Sequence, residues 1–166
     1  MHPEEFKTLV LSLHRALYRF ARSILTDAQE AEDCIQEIFL KLWLKRSSLA
    51  EVKNIKAFAM QMTRNLCLDK LKSRKHIMLD IAHEHLASDI SPHRQLETAD
   101  AVACMEKIIA LLPEQQRTLI HLRNIEGLEM KEIADVTDMT VEHIRVTLSR
   151  ARIAIRQLYQ QHYGSH

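Results

Sequence analysis

From Leu128 to Leu158 the sequence LEMKEIADVTDMTVEHIRVTLSRARIAIRQL is periodic, with a single break at Asp138 and Met139. A short first helix over residues 129–136 would carry Ile133 and Ala134 on its inner face. Thr140 then stands where a hydroxyl can accept a free backbone N–H of a second helix. Ile144, Leu148, Ala151, Ile155 and Leu158 recur at steps of three and four, the apolar stripe of a long helix. At 100° per residue, Arg145, Ser149, Arg152 and Arg156 form a second stripe beside it, with no acid between Arg145 and Arg156. A short helix, a turn and a longer basic helix make the helix-turn-helix that lays its second helix in a DNA major groove. Helical hairpins with merely solvated arginines share this pattern, so the rest of the chain decides.

Two glycines and three prolines in 166 residues leave little room for strand-and-turn architecture, and the expected fold is all-α. Residues 4–25 give a first helix with Phe6, Leu9, Val10, Leu13, Leu17, Phe20 and Ile24 on one stripe. The following T-D-A-Q, Thr26 to Gln29, fits a capping box. Helix two, residues 28–45, buries Ala31, Cys34, Ile35, Ile38 and Leu42. Leu40, Trp43 and Leu44 fall off that stripe, near Asp33, Gln36 and Glu37. A second apolar patch rimmed by acids points to a partner surface. The competing reading packs Leu40 and Trp43 under the neighbouring loop.

A polar loop, residues 46–54, leads to a third helix over 55–75. Its second half sets Arg64, Lys70, Lys72, Arg74 and Lys75 against Asp69 alone. That exceeds what a helix C-terminus needs and favours contact with phosphate. Residues 77–98 are acidic, with a break at Ser91-Pro92, and read as a linker holding a loose helical turn around 82–86. A fourth helix over 99–111 uses Val102, Met105, Ile108, Ile109 and, just beyond, Leu112. Pro113 restarts the chain, and helix five, 114–126, ends at Gly127. The expectation is two small helical domains, 1–76 and 99–166, joined by the linker 77–98, with the helix-turn-helix closing the second.

Net charge is +1 overall but +5 over residues 1–76, −3 over 77–99 and −1 over 100–166, so basic surfaces are local. Cys34, Cys67 and Cys104 match no zinc spacing, each lies in a helical pattern, and buried thiols in a reducing cytosol are expected. Of ten histidines only His83 and His85 are close neighbours, so neither a metal site nor a cofactor is expected. No apolar run reaches membrane-spanning length and the N-terminus lacks signal-peptide character, which implies a cytoplasmic protein that does not insert into a membrane. With no phosphate-cradling glycine loop and no HExxH, an enzyme is not expected.

Three stretches, in order, resemble the bacterial extracytoplasmic-function (ECF) sigma factors of RNA polymerase. DAQEAEDCIQEIFLKLW, from Asp27 to Trp43, resembles the core-binding helix of region two. NIKAFAMQMTRNLCLDKLKSRK resembles the helix that melts and reads the minus-ten element, and the stretch from Leu111 to Leu158 resembles region four, which reads the minus-thirty-five element. The resemblance covers nearly the whole chain. It implies a protein that binds core RNA polymerase, directs it to promoter DNA and helps open the duplex. It further implies an anti-sigma partner, often membrane-anchored in this family. Carried over residue by residue, it assigns polymerase binding to Asp33, Gln36, Glu37, Leu40 and Leu44. Minus-ten contact falls to the loop 46–54 with Arg64, Asn65, Lys70 and Lys72. Minus-thirty-five contact falls to Glu142, His143, Arg145, Val146, Ser149 and Arg150, with Arg152 on phosphate.

The chain departs from the family where glycine is common in the turn and Asp138 stands instead. It also departs at Glu142, where a small residue is common, and at Val146, where serine or a basic residue is common. Glu142 could accept from a cytosine amino group and Val146 could touch a thymine methyl, so no relative's promoter sequence transfers. Two other readings compete: a non-sigma helix-turn-helix transcription regulator, and a polymerase-binding adaptor without DNA specificity. The first would carry an α/β receiver domain, and the N-terminal half shows no strand alternation.

Overall fold

The computed structural model describes residues 1–80 and 101–164, and every regular element among them is helical. The N-terminal half holds α1 (Pro3–Leu25), α2 (Ala28–Leu44) and α3 (Ile55–Asp80). The C-terminal half holds α4 (Ala101–Ala110), α5 (Glu114–Ile120), α6 (Met130–Thr137) and α7 (Val141–Tyr163).

The stripe of α1 is buried at Phe6, Leu13, Leu17, Phe20 and Ile24, and meets the α2 stripe of Ala31, Cys34, Ile35, Ile38 and Leu42. The turn between them differs from the expected box. Thr26 ends α1 in the left-handed region, φ 64°, with its N–H on the Arg22 carbonyl. Asp27 is the cap of α2, its carboxylate accepting from the N–H groups of Gln29 (2.8 Å) and Glu30 (3.3 Å). A carboxylate that satisfies two orphan donors at the positive end of a helix outcompetes a hydroxyl one residue earlier.

The loop expected to be polar has an apolar anchor: Leu49, in a single 3₁₀ turn over Leu49–Glu51, is 1 % exposed. Asn54 caps α3 by accepting from the Ala57 N–H at 3.0 Å. The helix then runs five residues past its expected end, into the stretch read as linker. The remainder of that stretch, the turn at 82–86, His83, His85 and the first residues of the fourth helix lie outside the described residues.

In the C-terminal half, Ile108 and Leu112 are buried as expected, but Val102 and Met105 are exposed. They form one wall of an apolar groove of about 720 Å³, against Ile120, Ile125 and Ile155. Helix five stops early because its last turn widens to a π-type turn over His121–Ile125, closed by the Glu126 N–H on the His121 carbonyl at 3.0 Å. Gly127 follows at φ 69°, the left-handed residue its position predicted. Cys34 and Cys67 are buried as expected, whereas Cys104 is half-buried.

The two halves share one apolar core. α3 packs against α6, and α1 against α5 and the wide turn that follows it. Phe20 of α1, fully buried, stacks on His121 with ring centroids 5.6 Å apart.

Candidate nucleic-acid and partner interfaces

The helix-turn-helix forms as the residues dictate. Glu132 accepts from the Glu129 N–H at 3.0 Å to start α6. Asp138 ends it at φ 59°, ψ 22°, with its N–H on the Ala134 carbonyl at 2.9 Å. The Thr140 hydroxyl accepts from the His143 N–H at 3.1 Å and starts α7. Ile144, Thr147, Leu148 and Ala151 are buried beneath it, while Ile155 and Leu158 are half-buried.

All seven residues assigned to minus-thirty-five contact are exposed: Glu142, His143, Arg145, Val146, Ser149, Arg150 and Arg152. Among the described residues, none of the three arginines lies within ion-pair distance of a carboxylate. Turning 100° per residue spreads the first six over the outer face of α7 and leaves Arg152 at its edge. Arg152, two turns along the same stripe as Arg145, also lines the apolar groove beside Ile155, which the other two arginines do not.

On α2, Asp33, Gln36, Glu37, Leu40 and Leu44 recur at steps of three and four and share one face. Leu40 is 58 % and Leu44 69 % exposed. Glu37 is held by Lys41 at 3.4 Å and Lys70 at 3.9 Å. Trp43 does not join this patch. Its ring meets Phe6 edge-on with centroids 5.1 Å apart, and the Arg46 guanidinium stacks 4.0 Å above it. Of the three apolar residues off the α2 stripe, Leu40 and Leu44 remain exposed beside Asp33 and Gln36.

The minus-ten set is divided. Asn65 and Lys72 are exposed and, seven residues apart, lie on one stripe of α3. Lys70 faces α2 through Glu37. Arg64 is half-buried, and its Nε is shielded from solvent with no hydrogen-bond partner among the described residues. Exposed hydrogen bonds tie the flanking residues to the other half of the chain: the Asn54 side-chain amide donates to Glu132 at 2.9 Å, and that of Gln61 to Asp138 at 3.3 Å.

Sequence reasoning missed the cluster that joins α1 to the wide turn. The Glu126 side chain, 1 % exposed, accepts two hydrogen bonds from the Arg19 guanidinium, at 2.7 and 3.1 Å, and lies 2.8 Å from His121 Nε2. Burial pushes the Glu126 carboxyl up, but its hydrogen bonds with His121 and Arg19, and their charges, bring it down to about 2. Nearby, Arg117 Nε donates to the Ser23 carbonyl at 2.9 Å. No local pattern announces pairs separated by 107 and 94 positions.

Residues 9–77 match the family model described as Sigma-70 region 2, and residues 103–155 match Sigma-70, region 4. The RNA polymerase sigma-H factor of Pseudomonas aeruginosa is 31% identical, over 93% of this chain and 86% of its own length. The ECF RNA polymerase sigma factor SigW of Bacillus subtilis is 22% identical, over 85% of this chain and 81% of its own. A Xanthomonas campestris protein named "Probable RNA polymerase sigma factor RfaY" is 28% identical over 98% of this chain, which spans only 42% of that relative's length. Among solved structures, the sigma factor RpoE of Bartonella quintana, in complex with the anti-sigma factor NepR, superposes with a TM-score of 0.76 and 26% identity. That likeness covers 95% of this chain and 98% of the other.

Proposed function

The chain belongs to the extracytoplasmic-function sigma factors of RNA polymerase, and from that premise we propose that it acts through three separate surfaces. It binds core polymerase and directs it to promoters. The leucine pair on α2, with Asp33, Gln36 and Glu37, meets polymerase. Asn65 and Lys72, with Arg64 and Lys70 behind them, meet the melted minus-ten strand. The outer face of α7, from Glu142 to Arg150, reads the minus-thirty-five duplex, and Arg152 reaches phosphate from the edge of that face. The working units are 1–76 and 99–166, with 77–98 between them.

One observation carries this reading. All seven side chains assigned to minus-thirty-five contact, with Leu40 and Leu44 of α2 and Asn65 and Lys72 of α3, are exposed on helices whose opposite stripes are buried. The chemistry is recognition only: phosphate neutralisation and base-edge contacts, with no catalytic group assigned. No helix among the described residues is long and apolar enough to cross a membrane, and we place the protein in the cytoplasm, where its polymerase is. An anti-sigma partner, of the kind bound to the Bartonella protein, is part of the proposal.

The test is run-off transcription with core polymerase on a promoter fork. The adaptor reading expects polymerase binding without promoter selection. Equal transcription from promoter and scrambled templates would favour the adaptor and sink the sigma reading.

A further inference from the structure

Two thiols take no part in any of these surfaces, yet they touch. Cys34 on α2 and Cys67 on α3 face each other with Sγ atoms 3.5 Å apart, and both residues are 0 % exposed. We propose that Cys34 and Cys67 form a reversible oxidation site, at which a hydroperoxide closes a disulfide that clamps α2 to α3.

A disulfide needs its sulfurs at about 2.05 Å, so the pair must close by about 1.5 Å. The two cysteines already sit on facing helices that share one core. The pair has a direction as well as a distance. The hydrogen bond with Cys67 holds the Cys34 thiol below its ordinary value against the effect of burial; the Lys70 and Lys41 ammoniums assist, and the Glu37 carboxylate opposes them. The same bond, and burial, push Cys67 up. The thiolate is the attacking form, so Cys34 reacts first and Cys67 resolves.

The Cys34 thiolate attacks a peroxide oxygen and the O–O bond breaks. Cys34 becomes a sulfenic acid, and the leaving alkoxide takes a proton to give the alcohol, or water when the oxidant is hydrogen peroxide. Cys67 then gives up its proton and attacks the Cys34 sulfur. The S–O bond breaks, and hydroxide leaves as water with that proton. Two thiols lose two electrons and the peroxide gains them. An isolated buried thiol is inert because it has neither partner nor access. This one has the partner, and gains access when the α2–α3 seam opens locally.

The experiment uses the full chain carrying Cys104→Ser, which removes the third thiol. The protein is treated with hydrogen peroxide, denatured in an alkylating agent and weighed. The expected product is unalkylated monomer, lighter by two hydrogens, containing a Cys34–Cys67 linked peptide and restored by dithiothreitol. Its rate should saturate as peroxide rises, because local opening becomes limiting. The unfolding midpoint should rise by roughly 5–10 °C, as expected for closing a loop of this length. In the chain also carrying Cys67→Ala, checked for helicity, Cys34 should stop at a sulfenic acid that dimedone traps. Free thiols at both positions after exhaustive peroxide, over-oxidation of Cys34 beside a free Cys67, or cross-linked dimers would each overturn the proposal. An unchanged midpoint in the linked protein would overturn the clamp.

Discussion

Arg19 and Glu126 stand 107 positions apart and meet in a two-pronged ion pair whose carboxylate is 1 % exposed. The pair ties α1 to the wide turn after α5, in the same place where Phe20 stacks on His121. Each half of the chain therefore supplies a surface that only the other half covers. Leaving one member of such a pair buried without its partner costs more than the pair itself contributes.

The first prediction follows from the sign of the Glu126 shift. Its folded value, about 2, lies below the ordinary carboxylate value of 4.5, so its stabilisation is fully present above pH 4.5. It is lost as the pH falls from there towards 2. Allowing for the half-exposed arginine, the contribution is roughly 1–2 kcal/mol. Urea unfolding of wild type should lose about half of that amount between pH 5 and pH 3 and the rest as the pH falls to 2 and below, and Glu126→Gln should lack this component. Equal pH slopes in the two proteins would remove the pair from the stability account.

The exposed leucines give the second. Leu40→Arg with Leu44→Arg should leave helicity and unfolding midpoint near wild type, since both side chains stand mostly in water. The same protein should fail to co-purify with core polymerase. Trp43→Ala, by contrast, should cost about 1–3 kcal/mol in stability, because that ring packs on Phe6 under Arg46. An unfolded leucine variant, or one that retains polymerase, refutes the division between them.

A third prediction separates the DNA surfaces and is measured in holoenzyme. Arg150→Ala should weaken minus-thirty-five duplex binding by about 1–3 kcal/mol if it makes a bidentate base contact, leaving minus-ten strand binding unchanged. Lys72→Ala should flatten the salt dependence of strand binding by about 0.7 log units per log unit of salt. Lys70→Ala should change that slope less, because Lys70 is spoken for by Glu37. Equal slopes for the two lysine variants would mean that the ion pair to Glu37 does not persist on DNA.

Asp138 supplies the fourth. It holds φ 59° with a side chain that glycine would not have, so Asp138→Gly should relieve backbone strain. The loss of its exposed 3.3 Å bond from Gln61 offsets little of that gain. A net stabilisation of about 0.5–1 kcal/mol is expected in thermal unfolding. Destabilisation would show that the Gln61 contact outweighs the turn.

The apolar stripes of α1, α2 and α7 were legible because periodicity encodes which face of a helix is buried. It does not encode what covers that face. Val102 and Met105 continue the α4 stripe in sequence yet are exposed, and Trp43, off its own stripe, is packed by Phe6 and Arg46. The caps were legible where one residue had no rival, as at Thr140. At Thr26 and Asp27 two candidates adjoined, and the number of N–H groups each could satisfy decided it. The charge of Lys70 is visible in the sequence, but its pairing with Glu37, 33 positions earlier, is not.

The seam between α3 and α6 turns into a question of length. Elements centred near minus ten and minus thirty-five are about 25 base pairs apart, roughly 85 Å along B-form DNA at 3.4 Å per pair. A packed chain of this size has a radius of gyration of only about 15 Å. With Asn54 on Glu132 and Gln61 on Asp138, the two surfaces proposed to read these elements stand side by side, too close to reach both targets. The 20 residues from 81 to 100 can span at most about 70 Å. Added to the breadth of the two proposed units, a fully extended chain of that length would cover the gap with little to spare. To read a whole promoter, this chain must therefore trade its shared core for reach.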